Sequence, residues 1–230
     1  MTAAKRRELT VIDAGVMPYS GALTLQKSLV AAKKRGEPRD YLVLVEHNPV
    51  ITLGRRADEA HLKLPRDALW ARGVEVYDCE RGGDVTFHGP GQLVGYPIID
   101  LKRAGLGVAE YLRFLEDVII ESLRRLGVEG FRRPRLTGVW TAQGKVASIG
   151  IAVTRWISFH GFALNVNTDL SAFEMIVPCG LAGEKVTSIS GMTGTPADMA
   201  AVKSVVAGVL RERLGARTAG AAPVATGEAV

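Results

Sequence analysis

The chain has 230 residues, 47% of them hydrophobic and 23% charged, which fits one folded soluble domain of ordinary size and excludes a disordered or fibrous chain. A formal net charge of +5 and a pI of about 9.4 suit an acidic partner. No zinc-finger, RNP or basic-zipper pattern points to nucleic acid, no apolar run approaches the ~18–20 residues of a membrane helix, and two cysteines are too few for a disulfide scaffold or a cysteine-rich zinc module.

Met1 to Thr10 hold Lys5, Arg6 and Arg7 but no apolar stretch, so no secretory signal is expected and a reducing cytoplasm is. Glu8 to Asp13 reads as a short strand. Ser20 can cap a helix to about Arg35, with Leu25, Leu29 and Ala32 at helical spacing and Gly36 ending it. Tyr41 to Val45 is a continuous β-prone run, Asn48-Pro49 turns the chain, and Val50 to Leu53 forms the next strand. Val74 to Tyr77 alternates as a strand. Gln92 to Leu101 follows as another, with Pro97 placing it at an edge or a bulge. Gly107 to Leu126 is the clearest helix, apolar at Tyr111, Leu115, Val118, Ile119 and Leu123 and charged on the other face. Thr137 to Thr141, Lys145 to Val153 and Ile157 to Val166 read as a β-meander. Pro196 opens a last helix, about Ala197 to Leu214, which Gly215 closes. The Ala/Gly/Thr-rich stretch 216–230 reads as a disordered tail after a single domain over 1–215. Helices at the start, middle and end bracket two groups of strands. The expected class is α/β of the α+β type, a mixed and largely antiparallel sheet flanked by helices.

Four segments carry chemistry. Arg81-Gly82-Gly83-Asp84-Val85-Thr86-Phe87-His88-Gly89-Pro90-Gly91-Gln92 lies between two strands. Its glycines allow close backbone approach, Arg81 can hold an anion or carbonyl, and His88 can move a proton. It lacks the Gly-Lys-Ser/Thr of a nucleotide P-loop. Cys179 sits between Pro178 and Gly180, a fixed turn that presents a thiol, whereas Cys79 ends an alternating strand and reads as packing. Lys145 begins a strand that continues through Ser148-Ile149-Gly150, a stretch of small bulk. In Ser158 to Asn167, Gly161 and Ala163 alternate with Phe162 and Leu164, so one face is small and can line a groove for an extended apolar chain. The four histidines, His47, His61, His88 and His160, show no ligand spacing, so no metal is expected.

With these segments in place, the chain resembles the lipoyl(octanoyl) transferases, which move octanoate from acyl carrier protein to proteins. Arg81-Gly82-Gly83 with Thr86 to Val94 is similar to the main signature of that family, and Glu46 to Val50 with Thr52 and Gly54 to its early motif. Lys145 to Ile151, His160 to Asn165 and Ile176 to Gly180 match further blocks in order. The resemblance runs from about Leu9 to Leu214. Phe87 departs from it, standing where tyrosine is frequent.

The resemblance implies the biotin and lipoate protein ligase fold, like that of class II aminoacyl-tRNA and biotin synthetases. It implies Cys179 as nucleophile with Lys145 beside it. Acyl contacts would come from Arg81, Gly82, Gly83, Asp84, Val85, Thr86, Phe87 and His88, from Ser148, Ile149 and Gly150, and from Gly161, Phe162 and Ala163. No cofactor and no metal are implied. The donor would be octanoyl-acyl carrier protein. The acceptors would be lysines of the lipoyl domains of 2-oxo acid dehydrogenases and of the glycine cleavage H protein, without nucleic acid or membrane. A free thiol of pKa ~8.5 is only about 3% ionised at neutral pH. A cation ~4 Å away, at an effective dielectric of ~20, is worth about 4 kcal/mol to the thiolate, and Lys145 is the expected source. Two rival readings are an ATP-using lipoate or biotin ligase, which needs no cysteine nucleophile, and a non-catalytic binder of acyl-carrier or lipoyl proteins.

Overall fold

A computed structural model describes residues 8–177 and 183–220, with side chains up to 215. Cys179 and residues 221–230 of the expected tail lie outside the described residues.

Among the described residues, nine strands form two sheets. The larger has the order β1 (Leu9–Met17), β2 (Asp40–His47), β6 (Gln92–Ile98), β9 (Ile157–Asn165), β8 (Gly144–Thr154) and β7 (Val139–Thr141). Only β1 and β2 run parallel in it. The smaller sheet places β3 (Val50–Leu53) between β4 (Glu75–Asp78), parallel to it, and β5 (Val85–His88), antiparallel. The expected mixed, largely antiparallel architecture is therefore present.

Period-2 alternation gives the large sheet two apolar faces. On one, Leu42, Leu44, Leu93, Phe162 and Leu164 pack with α3 (Val108–Arg125) and α5 (Met199–Gly220). On the other, Val43, Val45, Val94, Tyr96 and Ala163 pack with α1 (Tyr19–Lys34). The small sheet has its own cluster of Ile51, Leu53, Val85, Phe87 and Phe173, joined by Leu69 of α2 (Arg66–Trp70). At typical transfer values each fully buried Leu or Phe contributes about 1.5–3 kcal/mol.

Several expectations change in detail. The helix expected from Ser20 starts at Tyr19, and Pro18 occupies the cap position with no side-chain bond. Asp198, not Pro196, sets the start of α5, accepting from the Ala200 N–H. α5 continues past Gly215 to Gly220, because one glycine costs about 1 kcal/mol and Ala216 and Arg217 are strong helix formers; the tail assigned to 216–230 therefore gives its first five residues to the helix. β5 was hidden in the segment read as one loop, since glycines on both sides mask a four-residue strand. Pro97 lies on the central strand β6, not at an edge. Nor is it at a bulge: β6–β9 pairing ends at Gly95 opposite Phe162, where His160 takes a left-handed backbone (φ 55°), and resumes at the Asp100–Ile157 bridge in the same register.

Candidate active site

The segment Arg81–Asp84 crosses the edge of β8 left free beyond β7, where the Gly82 N–H donates to Ile151 O at 2.8 Å. Two glycines permit this docking. A Cβ on Gly150 would stand 2.8 Å from Gly82 O, and one on Gly54 would stand 2.8 Å from Arg81 Nη1. Under this crossing, between the α1 side of the large sheet and the small sheet, runs a narrow cleft. Val94, Tyr96, Ser148, Gly150 and Ala163 belong to its large-sheet wall, and Thr52, Thr86 and His88 to the other. Gly83, Asp84 and Val85 line it too, as do Ile149, Gly161 and Phe162; Tyr19, at the start of α1, also borders it.

Arg81 is buried in this wall. Its Nε donates to Thr52 Oγ1 (3.2 Å), Nη2 to Thr52 O (2.6 Å) and to Thr52 Oγ1 (2.9 Å), and Nη1 to Gly82 O (3.2 Å). Among the described residues no carboxylate pairs with it, so neutral oxygens hold the guanidinium and its charge is left to act on the cleft.

From Arg81 a continuous line of hydrogen bonds leads away, and each link fixes the next. Asn165 Nδ2 donates to Thr187 O (3.0 Å), so its Oδ1 must accept, from Gln92 Nε2 (2.9 Å). Gln92 Oε1 then accepts from His88 Nδ1 (2.7 Å). The His88 lone pair therefore sits on Nε2, 3.5 Å from the Thr52 hydroxyl. Burial is the main cause, with His47 nearby, of a His88 pKa near 3, so the ring is a neutral fixed element. His47 is set similarly: Nδ1 donates to Met17 O (3.0 Å), Nε2 accepts from the Tyr96 hydroxyl (2.8 Å), and burial lowers its pKa. Burial also brings His160 down to about 3, with Arg81 adding to the shift. Tyr19 and Tyr96 are pushed up by burial, so both phenols stay protonated donors.

Lys145 lies on the other side of the Arg81–Asp84 crossing, in an open groove with Arg56, Arg135, Leu112, Leu136 and Trp140. Groove and cleft share Gly83, Asp84, Ile149 and Gly150. Lys145 is 4% exposed. Its backbone N–H donates to Lys185 O (2.8 Å), and its carbonyl accepts from Thr187 N (2.9 Å). On the near side of the undescribed residues, the Val177 N–H donates to His61 O (2.8 Å), and His61 Nδ1 lies 2.7 Å from Asp84 Oδ2. The two flanks of the segment carrying Cys179 are thus tied to the Asp84 loop and to Lys145.

Of the expected acyl contacts, Phe87 is not brought to the cleft. Alternation along β5 turns its ring to the small sheet's core, against Phe173 (centroids 5.7 Å). Gly82 lines the groove but not the cleft. Gly161 borders the cleft, but the space its missing Cβ leaves is taken by β6, with Pro97 Cδ 2.6 Å from where that atom would be. Thr52, Tyr19 and Tyr96 went unassigned as site residues. Thr52 carried a signal, as the one polar residue in the buried run Val50–Leu53. Cys79 follows β4 with its thiol donating to Leu53 O (3.2 Å), as packing. Among the described residues no group of three or more His, Cys, Asp or Glu can hold a metal.

The model of the lipoyl protein ligase A/B catalytic domain matches residues 18–211. An octanoyltransferase of Syntrophotalea carbinolica is 50% identical over 198 residues, covering 86% of this chain and 90% of that protein. Among solved structures, a bipartite lipoate protein ligase from Thermoplasma acidophilum superposes with a TM-score of 0.71 at 17% identity, over 91% of this chain and 84% of its own. The biotin protein ligase of Aquifex aeolicus gives 0.51 at 13% identity, over 91% and 69%. These likenesses establish the ligase fold, and the sequence relatives go further: the chain belongs to the lipoyl(octanoyl) transferase family and is an acyltransferase.

Proposed function

We propose that the donor is octanoyl-acyl carrier protein, that Cys179 carries the octanoyl group as a thioester, and that the acceptors are lysines of lipoyl domains. The observation that carries this reading is the border shared by cleft and groove. An acyl chain in the cleft would place its carbonyl near Gly83, Ile149 and Gly150, where the Lys145 groove begins. The Cys179 thiolate attacks the thioester carbon. A bond forms to Cys179 sulfur, the bond to the carrier sulfur breaks, and the carrier thiolate takes the proton that Lys145 holds. A lipoyl-domain amine then attacks the acyl-enzyme. Nitrogen–carbon replaces sulfur–carbon, Lys145 accepts the amine's proton, and Cys179 leaves as the thiolate that began the cycle. Thioester exchange is nearly isoenergetic and the amide is downhill, so ATP is not consumed. Arg56 and Arg135 beside the groove suit an acidic carrier protein. No helix among the described residues is long and apolar enough to cross a membrane, and a chemistry that needs a free thiol favours the cytoplasm.

Mixing the protein with octanoyl-carrier protein and recording its intact mass tests this. The expected product is an octanoyl adduct that hydroxylamine removes and that Cys179→Ala lacks. An adduct on Cys179→Ala, or pyrophosphate release that requires ATP, sinks the scheme.

A further inference from the structure

Trp140 is fully buried on β7, yet two cations lie over its ring: Lys145 Nζ at 5.1 Å from the centroid and Arg133 Cζ at 5.4 Å. Two like charges on one indole repel unless one is neutralised. Glu184 does this, accepting from Arg133 Nη1 at 3.0 and 2.9 Å on its two oxygens. The same carboxylate accepts from the Trp140 Nε1–H at 3.1 Å. A negative charge at the indole edge enriches the ring face, which strengthens its hold on the remaining cation. Gly138, at φ 137°, makes room for this arrangement. A Cβ there would stand 2.8 Å from Lys145 Cε and 3.3 Å from the far edge of the Trp140 ring. Glu184 precedes Lys185, whose carbonyl holds the Lys145 backbone.

We infer that Trp140, braced by Glu184 and Arg133, is the positioning residue for Lys145, keeping its nitrogen where it can act on the thiol. This rests on the Cys179–Lys145 reading proposed above. The position of the Lys145 charge is thereby coupled to Glu184, which follows Cys179 by five residues in the chain.

The test is the pH profile of Cys179 alkylation by iodoacetamide, read by peptide mass so that Cys79 is counted separately. Trp140→Leu should slow the reaction about three- to tenfold near neutral pH, with rates converging on wild type above about pH 9. Trp140→Phe, which keeps a π-face, should recover most of the loss, and Glu184→Gln should fall between. In a Lys145→Ala background Trp140→Leu should add nothing. A wild-type profile in a cooperatively melting Trp140→Leu, while Lys145→Ala is slowed, overturns the inference and leaves the dyad standing. A wild-type profile in Lys145→Ala itself overturns the dyad, and the inference with it. An added shift in the double variant also overturns the inference, because the indole then acts elsewhere. If Trp140→Leu does not fold, Trp140→Phe and Glu184→Gln decide: a loss in Glu184→Gln supports the brace, and wild-type profiles in both overturn it.

Discussion

The cleft and the groove meet along Gly83, Asp84, Ile149 and Gly150, but they hold their side chains by opposite means. In the cleft, two carbonyls and a hydroxyl contact Arg81, and a chain of neutral partners from Thr187 to Thr52 fixes the orientations of the Asn165 and Gln92 amides and the His88 imidazole. At the groove, Lys145 lies over the Trp140 indole, and beside that indole formal charges are set against each other, Arg133 against Glu184. Neutral bonds in a buried space give rigidity without a charge that must be matched when ligand enters. A cation balanced on a ring can be held in place and still act on a neighbouring charge. In the proposed mechanism the cleft holds the acyl chain and the groove moves protons.

Breaking the Arg81 fork should have the largest effect. Lysine keeps the charge but cannot place donors at once on Thr52 Oγ1, Thr52 O and Gly82 O. Arg81→Lys is expected to destabilise the fold by about 2–3 kcal/mol in urea unfolding. It should also lower kcat/KM for the acyl donor about a hundredfold, since the loop that frames the shared border shifts. The same exchange at exposed Arg135 of the groove should change kcat/KM by no more than about twofold. Equal effects at the two positions would erase the contrast between the regions.

Acid should act on the cleft first. His88 and His160 titrate near 3 in the folded protein and His47 below its usual range, burial being the main cause in each. Their unfolded pKa is ~6.5. Above that value they are neutral in both states and cost nothing. Below it the unfolded chain binds protons that the folded protein refuses. Stability is therefore lost as pH falls from about 6.5, at up to about 1.4 kcal/mol per pH unit for each ring. Urea midpoints between about pH 7 and pH 5 should show this loss before the carboxylates titrate. His160→Asn, chosen because asparagine tolerates the left-handed backbone at that position, should remove one ring's share of the slope. An unchanged slope would mean that His160 is not held neutral.

What could be read from the sequence divides along the same line. Strands with long β-prone runs, such as Tyr41–Val45 and the β8–β9 hairpin, were legible because period and composition agree. Arg81, His88, Lys145 and the Ser148–Gly150 stretch stood out because polar or small residues interrupt those runs. Tyr19 and Thr52 were not legible as cleft residues, since they arrive from α1 and β3, far along the chain from Ala163. Gly161 was read as making space for a ligand, whereas that space is filled by β6; residue size alone cannot say which neighbour takes the room. The Trp140–Glu184 contact joins residues 44 apart, and no local pattern announces it.

The smallest effect tests which way β5 faces. Val85 and Phe87 contribute side chains to the small sheet's core, while Thr86 and His88 stand on the cleft wall. Phe87 packs on Phe173 and borders a separate open groove with Pro49, Lys63 and Pro90. A hydroxyl added by Phe87→Tyr would extend from the far end of the ring, away from the acyl cleft, with water in that groove to satisfy it. Stability should change by no more than about 0.5 kcal/mol and kcat/KM by less than about twofold. If Phe87→Tyr instead altered the preference among acyl chain lengths, the ring would have to reach the cleft. Residues 85–88 would then present the opposite faces, and the neutral line through His88 and Gln92 could not form as described, because His88 would turn into the core as Phe87 turned out.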